Sequence, residues 1–155
     1  MGAVADDQPL GRLLAAALTA VIDELHERLE RAGWPQVRPM WGFALLAVRT
    51  EARTIGELSK TLGITKQAAA KVVSALVDEG LVERQEHPTD RRAAAIRLTE
   101  HGHRFLTDAE AAYEAIEAGW AQVASRHDID ALRRAIPALL TARYGDTRPP
   151  LRPSL

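Results

Sequence analysis

Lys66, Gln67, Ala70, Lys71 and Ser74 share one side of a helical wheel drawn for the residues after Thr65. The face they make is cationic, small or amide-bearing, and it holds no carboxylate before Asp78. Such a surface suits a partner with an anionic rim and a floor of hydrogen-bonding edges. The major groove of duplex DNA is built that way and is wide enough to admit an α-helix. Gln67 could pair with an adenine edge, and Lys66 and Lys71 could take phosphates or guanine O6 and N7. Ala70 would allow close approach and could meet a thymine methyl. Thr54 and Thr65 stand at expected helix N-termini, where backbone N–H groups favour phosphate. The same five residues also fit the solvated side of an ordinary surface helix.

A second group lies further along, at Asp90, Arg91 and Arg92, in a stretch of turn chemistry that begins His87-Pro88-Thr89. A guanidinium at a hairpin tip can enter a narrow minor groove, where negative potential concentrates. Asp90 would be repulsive there unless it orients one arginine by a charge-assisted hydrogen bond. A solvated charged turn is the plainer reading.

Positioning these groups requires a definite set of elements. Thr54 and Glu57 make a capping-box pair opening a helix that buries Ile55, Leu58 and Leu62. Gly63 suits a left-handed helix end, and Thr65 can cap the next helix. That second helix is expected to face inward through Ala68, Val72 and Leu76, flanked by Ala69 and Ala75, and to stop at Gly80. Leu81 to Glu86 and Ala94 to Leu98 read as a hairpin, with Ile96 and Leu98 on one face. Before this unit comes an amphipathic helix over about Pro9 to Arg31 and an apolar one over about Pro39 to Arg49. After it, Thr99 caps a long helix to about Ser125. Asp128 or Asp130 opens a last one, which Pro137 should kink or break. The apolar stripe of the first helix is wider than so small a domain needs, and a partner chain is a natural cover for it. The tail from Thr147 reads as frayed.

The run Asp90-x-Arg92-x-x-x-Ile96-x-Leu98-Thr99 resembles the wing signature of the MarR family of winged-helix regulators. The preceding Ile64 to Arg84 is similar to that family's recognition helix and first wing strand. The resemblance implies a mainly α fold with a small β-wing: a winged helix–turn–helix with long N- and C-terminal dimerisation helices. Residues 9–33 and 99–145 would form the dimerisation region of a single domain spanning 1–155. Residues 39–98 would bind DNA, and 146–155 would be a flexible tail. It further implies a homodimer that binds a pseudo-palindromic operator on double-stranded DNA, with Arg92 in the minor groove and Asp90 orienting it. Repression, relieved by a small aromatic or anionic effector, is the expected mode. His26, Trp34, Arg38, Met40, Trp41 and Phe43 are the expected effector lining, though each also fits an ordinary core or turn position.

Composition excludes several alternatives. The 155 residues carry no cysteine, which removes disulfides, thiolate zinc sites and thiol redox switches. Net charge is −1, so binding to nucleic acid must come from a local patch. All three lysines, Lys60, Lys66 and Lys71, lie in the helix–turn–helix. The N-terminus lacks a secretory pattern, Asp6 replaces the Ser or Thr of a myristoylation motif, and charge interrupts every apolar run. A cytoplasmic protein without membrane contact is expected. His101 and His103 straddle Gly102 and point to different helix faces, so no metal or other cofactor is expected. No catalytic motif is present, and no enzyme activity is expected. A winged-helix module that binds another protein instead of DNA is the alternative function.

Overall fold

The computed structural model describes residues 8–86 and 94–145. Along these residues run α1 (Leu10–Arg31), α2 (Pro39–Ala47), β1 (Arg53–Thr54), α3 (Ile55–Leu62) and α4 (Lys66–Asp78). They are followed by β2 (Val82–Glu86), β3 (Ala94–Leu98), α5 (Glu100–Val123) and α6 (Arg126–Tyr144).

Local chemistry sets most of the boundaries. Pro39 occupies the first turn of α2, where its missing N–H costs no helical bond. Trp41, Ala44 and Leu45 of α2 are buried, and the helix packs on α3, α4 and α5, as its apolar composition requires. Leu46 departs from that pattern and is 46% exposed. The capping box at Thr54 and Glu57 forms as expected, and Gly63 ends α3 at φ 65°. In α4 the buried seam is Ala69, Val73 and Leu76, not the expected line through Ala68 and Val72, which are only half-buried. Both seams obey helical spacing. The two seams carry the same residue types, Ala, Val and Leu, and the one observed follows the i, i+4, i+7 path along the helix.

The three strands form an antiparallel sheet in the order β1-β3-β2. Val82 pairs with Leu98 and Arg84 with Ile96, while Arg53 and Thr54 of β1 pair with Ile96 and Ala95. The sequence gives no sign of β1, since two residues cannot display an alternation. Its position is fixed by Arg53, whose Nε donates to the Ala47 carbonyl at the end of α2 (2.7 Å). Ala95 and Ile96 of the central strand are buried along with Leu98.

Thr99 caps α5, accepting from the Gly102 N–H at 3.0 Å. Phe105, Leu106, Ala109, Ala112 and Ile116 then carry α5 through the core beside Leu25 and Leu29 of α1. The last helix corrects two expectations. It begins at Arg126, earlier than Asp128, because Ser125 supplies the cap by accepting from the Asp128 N–H. It also continues through Pro137 as one helix to Tyr144. No residue of α6 is buried, so the carbonyl left without a donor near Pro137 can be hydrated. Among the described residues no helix is long and apolar enough to cross a membrane.

Candidate nucleic-acid interface

The turn between α3 and α4 is closed by backbone bonds from Gly63 N to Lys60 O (3.2 Å) and from Ile64 N to Ser59 O (3.0 Å). Ser59 is buried and returns its hydroxyl to Gly56 O at 2.8 Å. These bonds hold the two helices in a fixed relation, with Ile64 packed against the core. The outward side of α4 presents Lys66, Gln67, Lys71 and Ser74, all exposed, and Ala70 half-buried between them. The five expected residues therefore lie on one face. At its head the Thr65 hydroxyl accepts from the Ala68 N–H (3.1 Å).

The N-terminus of α3 is different. Glu57 Oε2 accepts from the Thr54 N–H (2.7 Å) and from the Thr54 hydroxyl (2.9 Å). A carboxylate of the chain thus already occupies the place that a phosphate would take at Thr54. The Lys66 stem lies over this turn, where a Cβ at Gly56 would make ordinary contact with Lys66 Cε at 3.6 Å. Within the hairpin, Arg97 pairs with Glu83 across the strands (2.6 Å), and Arg84 is exposed. Arg84 and Arg97 stand in adjacent rows of the paired strands and so point to opposite faces of the sheet, and the Arg97 charge is met by Glu83. Asp90, Arg91 and Arg92 lie outside the described residues, as do His87 and the tail from 146.

The expected effector residues divide between two cavities. One, of about 210 Å³, lies between α1, α2 and α5 and takes His26, Arg38 and Phe43, with Leu29, Phe105 and Tyr113. Partial burial raises the Tyr113 phenol above its ordinary value of 10.0. The other, of about 490 Å³, lies where the α1–α2 connection meets the end of α4 and the start of α5. Trp34 and Trp41 line it, and Trp34 Nε1 donates to Asp108 Oδ2 at 2.8 Å. Met40 lines neither cavity. The rings of His101 and Trp34 lie 4.7 Å apart, and Arg104 Nη2 contacts His101 Nδ1 at 3.0 Å. Among the described residues no three His, Asp, Glu or Cys side chains gather as a metal site would require.

The MarR family model matches residues 36–93, a span that takes in α2, β1, α3, α4 and β2. The transcriptional repressor MprA of Escherichia coli is 40% identical over 99 residues, covering 64% of this chain and 56% of that one. The chain thus spans little more than half the length of this relative. Among solved structures, the repressor CouR bound to a 23-mer DNA duplex superposes with a TM-score of 0.70. It is 26% identical and matches over 84% of this chain and 92% of that one. The reduced form of MarR from E. coli has a TM-score of 0.75 at 22% identity, over 87% and 98% of the two chains. The chain is therefore similar in sequence to the MarR family over residues 36–93, and similar in fold to these MarR and CouR structures over most of its length.

Proposed function

We propose that this chain is a homodimeric transcriptional regulator that binds an inverted repeat in duplex DNA and acts as a repressor. The observation that carries the proposal is the exposed, carboxylate-poor face of α4 behind a rigid turn. Lys66, Gln67, Ala70, Lys71 and Ser74 meet the major groove, and the α4 N-terminus at Thr65 receives a phosphate. At Thr54, Glu57 stands in the phosphate position, so Thr54 acts by fixing α3. Arg92, with Asp90 and Arg91, supplies the minor-groove contact. The repressor names of MprA and CouR, the latter solved on DNA, support this assignment.

Dimerisation has its own motive. Leu10, Leu14 and Leu18 of α1 and Leu132, Ile136, Leu139 and Leu140 of α6 are exposed large apolar residues. A second copy covers such faces and sets two α4 helices about one DNA turn apart. The 210 Å³ cavity is the better effector site of the two. A cavity of about 150 Å³ holds benzene, and Arg38 adds a cation for a one-ring aromatic acid.

Selection of bound sequences from random duplex DNA, repeated with aromatic acids, tests all of this together. An enriched inverted repeat whose retention falls steeply with salt is expected. Recovery of no sequence, with the chain dimeric, would favour the protein-binding alternative.

A further inference from the structure

Gly102 sits in the first turn of α5, where an ordinary helix former would be favoured over glycine by about 1 kcal/mol. Its surroundings explain the exception. A Cβ at this position would stand 2.1 Å from the Leu81 carbonyl oxygen, 3.1 Å from the Leu81 carbonyl carbon and 2.9 Å from Leu98 Cδ2. Two of these atoms are backbone and cannot swing aside as a side chain does. Leu81 follows directly on Gly80, which turns the chain out of α4 at φ 69°. The same joint is bolted by Thr99. Its hydroxyl donates to Gly80 O (2.6 Å) while accepting from Gly102 N–H, and its own N–H donates to Leu81 O (3.1 Å). The exit of the recognition helix therefore rests on the opening turn of α5 through main-chain contacts. Ordinary C···O contact is about 3.3 Å or more, so a methyl here must drive the two apart by roughly 1 Å.

We infer that Gly102 is a positioning residue. The absence of its side chain sets the angle between α4 and α5, and through that angle the half-site spacing that the protein accepts on DNA. The angle follows from the contacts alone, whereas the spacing rests on the DNA-binding proposal above.

Two measurements separate these parts. The chain has no cysteine, so Ser74→Cys and Thr107→Cys give one label pair across the joint, measured by pulsed dipolar spectroscopy in samples diluted with unlabelled protein. Gly102→Ala is expected to displace or broaden that distance while helicity is kept. Unchanged distances overturn the inference. On inverted repeats stepped by one base pair, Gly102→Ala is expected to lose about tenfold at the spacing preferred by wild type and less than about threefold at a neighbouring one. Equal loss at every spacing would mean general destabilisation and would overturn the spacing role. If Gly102→Ala does not fold, Thr99→Val loosens the same joint. Thr99→Val must alter the label distance and Thr99→Ser must restore it, or the inference fails. If wild type holds no DNA at any spacing, the DNA proposal fails and the label distances still decide the joint.

Discussion

Gln67 and Lys71 lie about one turn apart on the same exposed face, yet their losses should look different. Gln67→Ala should relax choice at one base position by about 1–3 kcal/mol, measured as the affinity ratio between the best operator and its single-base variants. Lys71→Ala should weaken all sequences alike and lower the slope of log affinity against log salt by about 1. A base-specific loss at Lys71 would assign it to guanine. Tyr113 provides a test in solution without DNA. Its neutral form is favoured in the folded chain, so the folded state holds the proton more tightly than the unfolded one. The stability this gives is present below pH 10 and is lost as pH rises through the alkaline range. Tyr113→Phe should remove that component from urea unfolding measured between pH 9 and 11. The exposed α4 face was legible because polarity repeats with the helical period. The capture of Thr54 by Glu57 was half legible: the pair announces a cap, but only coordinates show the carboxylate standing where an anion would have gone. Gly102 was visible only as a spacer between histidines, because close approach leaves no pattern in a linear text.

Capping residues and glycine stops placed α3, α4 and α5 to within a residue or two of where they lie. The elements that escaped are those whose determinants are remote or weak. β1 owes its existence to a partner strand more than forty residues away, at Ile96 and Ala95. The start of α6 depends on Ser125 taking φ 65°, a conformation disfavoured for any residue with a Cβ. Proline normally ends a helix, and Pro137 does not, because α6 lies open to solvent and can satisfy the stranded carbonyl there. The helix still bears the cost. Pro137→Ala should raise stability by about 1–3 kcal/mol, read from thermal or denaturant unfolding. A fall in stability would show that the ring packs against a second copy.

At the scale of the whole molecule, the apolar residues divide into a core and an uncovered remainder. Leu18 and Leu139 are 57% and 59% exposed, while Leu25 and Leu29, further along α1, are buried. Leu18→Glu with Leu139→Glu should convert a dimer to a monomer in sedimentation velocity and abolish tight binding to an inverted repeat, leaving the helical content intact. A persistent dimer would move the interface elsewhere. The stripe on α1 was legible as too wide for one chain, since its period continues past the residues the core can hold. α5 joins these two regions as a single rod of 24 residues, about 36 Å long. A tilt of roughly 5° at one end carries the other sideways by about 3 Å, close to the rise of about 3.4 Å between successive nucleotides. A lever of this length turns a wedge of roughly 1 Å near its pivot into a misregister of about one base step, so under the proposed function release from DNA needs no element to unfold.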